Sequence, residues 1–248
     1  MPDLLSFDLA IFLCGTFVAA FVTSLAGFAF GMIAAAVWLY ALAPQQVSAL
    51  IAAYALLVQG YAVWKLRHLL DVHRLMPFIL GSAAGIPIGI LALRWASAAQ
   101  FRFGVGAILA LFSLYNLVRP KMPSMKQAGR GADTAIGILN GFISGSTGLG
   151  GIAALIWSSM RGWTRDEQRA VFQPTAVATF VMMLVAFGGT GIITRETLRL
   201  FFMGLPVLAL GMWLGWMLYG KLDEAAFRRI VLVLLLISGV TLIASAWR

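Results

Sequence analysis

From Leu200 to Leu218 the chain carries no charged side chain. A run of that length is enough, as a helix rising 1.5 Å per residue, to cross the roughly 30 Å hydrocarbon layer of a bilayer. Comparable apolar runs recur at Leu50–Trp64, Phe78–Leu93, Phe103–Val118, Phe172–Phe187 and Ile230–Trp247. The rest of the composition agrees: 61% of the 248 residues are apolar, 11% are charged, and mean hydropathy is +0.93. A membrane β-barrel needs strands of about ten residues with alternating polarity, and that pattern is missing, so the spans are helical.

The first apolar stretch is not a secretory signal, because Asp3 and Asp8 stand where a signal needs basic residues. The single cysteine, Cys14, excludes an intramolecular disulfide and a thiolate metal cage. The net charge of +9 does not point to nucleic acid, since the 18 Lys and Arg fall in short clusters between spans, where they set topology.

A polar stretch with two prolines, Arg119 to Arg130, divides two apolar halves of similar length. We read residues 1–118 as a first membrane repeat, 119–131 as a basic cytoplasmic linker and 132–248 as a second repeat. Laid on each other, the halves match Phe21 with Phe142, Gly27 with Gly148 and Ala49 with Ala170. After a five-residue insertion, Gly85 meets Gly211, Gly89 meets Gly215, and Phe101-Arg102 meets Phe227-Arg228. The order points to an internal duplication.

Each half opens with an apolar region too long for one span and broken by glycine. The breaks are Gly27-Phe28-Ala29-Phe30-Gly31 and Gly145-Ser146-Thr147-Gly148-Leu149-Gly150-Gly151. The piece after Gly148 runs only to about Met160, too short to cross. Each opening region is therefore expected to be two half-helices meeting inside the membrane. The predicted fold is an all-α integral membrane protein of two inverted repeats, each a broken-helix hairpin followed by three transmembrane helices. Charge supports this topology. It puts 13 of the 18 Lys and Arg on one side, including the central loop, and five on the other: Arg94, Arg102, Arg195, Arg199 and Arg248. A single crossing per opening region would divide them almost evenly. The positive-inside rule then places the central loop in the cytoplasm and both termini outside.

Inverted repeats with broken helices put a substrate site near the midplane, where the breaks meet. A half-helix that starts inside the membrane offers unpaired N–H groups and the positive end of its dipole. The candidate amides follow Gly27 (Phe28, Ala29 and Phe30) and Gly148 (Leu149, Gly150 and Gly151). The hydroxyls of Thr23, Ser24, Ser144, Ser146 and Thr147 crowd the same turns. Such a pocket suits a small oxyanion. Gln59, Asn140 and Gln173 could line a pathway or bond a neighbouring helix. The pairs Gly85/Gly89 and Gly211/Gly215 read as close-packing residues.

No Asp, Glu, Lys or Arg lies mid-span, as a proton-coupled carrier would be expected to have. No phosphate loop and no Ser/His/Asp or carboxylate pair is placed for catalysis, so an enzyme is not expected, nor a cofactor or bound metal. The glycine cluster Ser144-Gly145-Ser146-Thr147-Gly148-Leu149-Gly150-Gly151, the two halves and the basic central loop together resemble the TauE/SafE family of sulfite and organosulfonate exporters. The first half departs from it, carrying phenylalanines at 28 and 30. The resemblance covers nearly the whole chain and implies a bacterial inner-membrane exporter whose partners are a small inorganic or organosulfur anion and the lipid bilayer. It leaves a homo-oligomer open. On the residues alone, an exporter of a carboxylate or thiol-derived anion, or a non-transporting membrane scaffold, stands beside it.

Overall fold

The computed structural model describes every residue except 1–6, 27–28, 67–70, 119–124, 126, 220, 222 and 248. The described residues form ten α-helices and no strand: α1 Phe7–Ala26, α2 Phe30–Trp38, α3 Pro44–Leu66, α4 Val72–Trp95, α5 Ala98–Val118, α6 Arg130–Thr147, α7 Ile152–Met160, α8 Arg165–Gly189, α9 Arg195–Leu218 and α10 Glu224–Ser245. Six of them are long and apolar enough to cross a membrane: α1, α4, α5, α8, α9 and α10. The chain is a multi-pass membrane protein. Polar residues mark where its helices begin. Thr164 and Glu167 form a capping box ahead of α8, and the Thr194 hydroxyl caps α9.

The opening regions break where the glycines predict, but not into two half-helices. α1 has 20 residues, about 30 Å, and α6 has 18, whereas α2 and α7 have nine each, about 13 Å. The reason is where the breaks fall: α1 ends at Ala26 and α6 at Thr147, so the piece before each break is already close to a full span. Gly15 within α1 leaves a bare face filled by the Trp38 ring, 2.9 Å from where a Cβ would stand. Each opening region is thus a near-full-length helix followed by a short one.

The short helix folds back along the long one. Had α2 continued α1, Trp38 would lie about 39 Å from Phe12; instead its indole Nε1 donates to the Phe12 carbonyl at 3.0 Å. In the second hairpin the Trp157 indole donates to Asp133 Oδ1 at 2.7 Å. Residues 12 and 133 hold the same place in the register that matches Phe21 with Phe142. Each hairpin is therefore closed by a tryptophan at the same point of its long helix.

Cα packing divides the chain into two compact units: Met1–Val47 with Ala96–Pro120 and Thr194–Arg248, and Ser48–Trp95 with Lys121–Ile193. Neither follows the sequence halves, because the tightest seams join a helix of one half to a helix of the other. In one unit α4 runs parallel to α6, with Gly81, Gly85 and Gly89 of α4 lying against Gly137, Gly141 and Gly145 of α6. A Cβ on Gly85 would sit 2.8 Å from the Phe142 amide, and one on Gly137 would sit 2.6 Å from the Phe78 carbonyl oxygen. In the other unit α9 runs parallel to α1 and repeats the contact. Gly211, matched to Gly85, faces the amide of Phe21, matched to Phe142. Gly89 and Gly215 face the carbonyls of the same two phenylalanines. The packing reading of these glycines thus carries a register. α5 and α10 pack antiparallel: Gly106 and Gly239 each face the other's carbonyl, and Arg228 bonds Asn116.

Candidate functional site

The turn between α6 and α7 is where polar chemistry gathers. Gly148 closes α6 at φ +82° and Gly151 opens α7 at φ +87°. Both are left-handed conformations that cost a side-chain-bearing residue about 1–2 kcal/mol. Gly148 also has no room for a Cβ, which would lie 2.9 Å from the Ser48 Cα of α3. The matching turn in the other unit holds Ala29, not glycine, at φ +82° ahead of α2.

The amides singled out in the sequence are engaged within the turn. Leu149 N–H donates to Thr147 Oγ1 at 3.2 Å, Gly150 N–H to the Gly148 carbonyl at 3.0 Å, and Gly151 N–H to Asn140 Oδ1 at 3.0 Å. The first helical bond of α7 runs from Leu155 N–H to the Gly151 carbonyl. Between them lie the amides of Ile152, Ala153 and Ala154, which make no hydrogen bond among the described residues, and no side chain caps the helix. All three residues are buried. The donor set therefore sits one to three residues beyond the expected glycines, with the positive end of the α7 dipole behind it.

Asn140 holds this arrangement. It is 1% exposed, and its Nδ2 donates to Ser82 Oγ of α4 at 3.2 Å and to Thr179 Oγ1 of α8 at 3.4 Å while Oδ1 receives Gly151. Ser82 in turn donates to the Gly137 carbonyl at 3.2 Å. One amide side chain thus ties α4, α6, α8 and the turn together. It is a clamp, and its polar atoms are used up by protein.

The predicted hydroxyls mostly bond their own helix. Ser144, Ser146 and Thr147 donate to the carbonyls of Asn140, Phe142 and Ile143, and Ser24 donates to Ala20. Thr23 is buried, and its Oγ1 has no partner among the described residues. Gly27 and Phe28 lie outside the described residues. Gln59 is half-buried on α3, and Gln173 is half-buried on α8, its buried Oε1 without a partner among the described residues. The two turns belong to different compact units.

Sequence reasoning missed Ser48, Ser82, Thr179 and Asp133. The first three are ordinary small polar residues in apolar helices, and nothing short of their neighbours distinguishes them. Asp133 had a signal, a carboxylate only three residues into α6. It is 6% exposed, accepts the Trp157 indole N–H, and pairs with Arg161 just past α7 at 3.5 Å. Arg161 also donates to the carbonyls of Met125 and Ala128 and lies 5.4 Å from the Trp163 ring centroid. This cluster pins the two ends of the hairpin at one level, opposite the turn.

A buried, uncapped helix start on a membrane hairpin fits an anion carrier, and comparison with known families agrees. The family model described as sulfite exporter TauE/SafE matches residues 11–242. The chain belongs to that family. None of the curated proteins and none of the solved structures matches it. As a TauE/SafE member it falls in a transporter family, in keeping with six helices long and apolar enough to cross a membrane.

Proposed function

We propose that this TauE/SafE protein exports a small anion, sulfite or a small organosulfonate, bound at the N-terminus of α7. The observation that carries this reading is the set of three amides, at buried Ile152, Ala153 and Ala154, that have no partner among the described residues. In a bilayer an unpaired backbone donor costs several kcal/mol, so such a set is expected to meet a ligand or water. An oxyanion offers acceptors in the right number. A dipole end gives roughly half a unit of positive charge without a fixed cation, which favours release as much as capture.

The architecture we infer is a pair of inverted repeats. It is supported by the antiparallel packing of α5 and α10, which the alignment makes counterparts, and by the matched glycine contacts of the two parallel seams. The cytoplasmic place of the central loop, with the termini outside, is supported by the excess of Lys and Arg on that side. The membrane is then the bacterial inner membrane, and the hairpin α6–α7 enters it from the cytoplasmic side.

The driving force in this reading is the membrane potential. One charge moved through 100 mV is worth about 2.3 kcal/mol, so an anion leaving a negative interior needs no coupling ion. Uptake of labelled sulfite by liposomes containing the purified protein tests this. An imposed potassium-diffusion potential should set the rate, and a pH gradient alone should not, once sulfite speciation is held constant. Flux that follows a proton or sodium gradient and ignores the potential would refute the mechanism. Flux of a carboxylate or thiol-derived anion in place of sulfite would refute the substrate, and no flux of any anion would leave the scaffold reading.

A further inference from the structure

Many of the hydroxyls buried in these helices bond back to their own helix. Those of Thr16, Ser144, Thr147, Thr175 and Thr179 each donate to the carbonyl four residues back. This satisfies the group in an apolar surrounding without a tertiary partner. Those of Thr23, Ser48 and Ser113 do not, and of these three only Ser48 of α3 belongs to the compact unit that holds the turn between α6 and α7. Ser48 is 0% exposed, yet its Oγ makes no bond to the Pro44 carbonyl four residues back or to anything else among the described residues.

Its position gives the irregularity a meaning. The Ser48 Cα lies 2.9 Å from where a Cβ of Gly148 would stand, with the Ser48 carbonyl oxygen at 3.1 Å and Ile51 Cβ at 3.4 Å. α3 therefore presses its backbone onto the turn that delivers the N-terminus of α7, and a left-handed glycine is the residue that lets it come so close. Two independent irregularities thus fall close together: the turn delivers a helix start without a cap, and the residue whose backbone packs on its Gly148 carries a fully buried hydroxyl without a partner among the described residues. Both are hydrogen-bond donors lacking an acceptor. Protein groups that could serve, such as Asn140 Oδ1 and Thr147 Oγ1, are already engaged with Gly151 and Leu149. What the turn lacks is a ligand with several acceptor oxygens.

We propose that Ser48 is a substrate-binding residue, its hydroxyl donating to an oxygen of the same small oxyanion that the α7 amides hold. The assignment rests on the transporter reading above and extends it to a second element. α3 supplies a side-chain donor, α7 supplies backbone donors, and Gly148 sets the distance between them. The ligand class is a compact anion with oxygens pointing in more than one direction, such as sulfite or the head of a sulfonate. A planar carboxylate has only two oxygens to share between α7 and Ser48.

The test uses the full-length purified protein. Labelled sulfite uptake in proteoliposomes gives KM and maximal rate, and sulfite-induced thermal stabilisation in detergent gives binding without transport. Methanesulfonate and acetate serve as comparison anions. Loss of one hydrogen bond to a charged group corresponds to about a tenfold to hundredfold weakening. Ser48→Ala should raise the KM for sulfite by that factor with the maximal rate little changed, and should weaken the thermal response in step. Without ligand the same variant should be at least as stable as the wild type, because it removes a buried hydroxyl that has no partner. Ser48→Cys, of similar volume with a weak donor, should fall between. A merely structural serine would show the opposite pattern, lower ligand-free stability and an unchanged KM, and that result overturns the assignment. If the wild type neither transports nor is stabilised by any of the three anions, the transporter reading fails and this one with it. If it responds and Ser48→Ala responds equally, only the role of Ser48 is lost.

Discussion

Gly137→Ala adds one methyl group to the α4–α6 seam, and its effect can be worked out from distances. The new Cβ would lie 2.6 Å from the Phe78 carbonyl oxygen and 2.9 Å from the Phe78 Cα, where ordinary contact begins at 3.4 Å. Both neighbours are helix backbone, so no side chain can swing aside. The helices must part by roughly 0.8 Å, the difference between 3.4 and 2.6 Å. Overpacking of this kind costs about 1–3 kcal/mol. The same movement stretches the 3.2 Å bond from Ser82 Oγ to the Gly137 carbonyl to about 4 Å and leaves a buried hydroxyl worse served. That adds about 1–3 kcal/mol. Alanine's better helix propensity returns about 1 kcal/mol. The net loss is about 1–5 kcal/mol, a fall in melting temperature of roughly 2–20 °C for a chain of this size. The fraction of protein still monodisperse after heating in detergent measures it. Gly104→Ala is the control, since nothing lies within 4 Å of a Cβ there, and it should be neutral or slightly stabilising. Equal melting temperatures for the two variants would refute the backbone seam.

Asn140→Ala should abolish sulfite flux and cost about 2–4 kcal/mol, because it orphans the buried Gly151 amide and unties α4 from α8; heat stability and uptake together check it. Asn140→Asp, which keeps the acceptor for Gly151, should retain more stability than Asn140→Ala. Asp133→Ala should lower stability by about 3 kcal/mol, since Arg161 and the Trp157 indole lose a mostly buried partner, whereas Asp133→Asn should lose less by keeping the oxygen that meets Trp157; melting temperatures of the two variants decide it. With the exposed Cys14 replaced, a cysteine at exposed Gln127 should react with a membrane-impermeant thiol reagent only from the cytoplasmic side and one at exposed Thr190 only from the other; the reverse pattern would invert the topology.

The set of long spans was only partly legible in the sequence: α1, expected as a half-helix, is among the six helices long and apolar enough to cross, and α3, expected as a span at Leu50–Trp64, is not. The membrane class and the places where the opening regions break were legible. These depend on composition and on glycine, which act locally: an uncharged run must find lipid, and a helix ends where its backbone is free to turn. The matching of Gly85 with Gly211 and of Phe21 with Phe142 was legible too, and those residues make the same contact in each unit.

What the linear order did not give is which helix lies beside which. The halves are contiguous in sequence, yet α4 seats on α6 and α9 on α1, because glycines at four-residue spacing on α4 and α9 let a neighbouring helix backbone come close wherever that neighbour occurs in the chain. For the same reason the site is only partly readable. Gly148 and Gly151 declare themselves through their backbone, and both adopt the left-handed turn. Leu149, Gly150 and Gly151 have amides that look free on paper, but Thr147, Gly148 and Asn140 occupy them once the chain closes on itself. Ser48 is one of many serines in the sequence, and only the approach of α3 to Gly148 sets it apart. Local residue chemistry decides where a helix can start; tertiary contact decides which of its donors remain for a ligand.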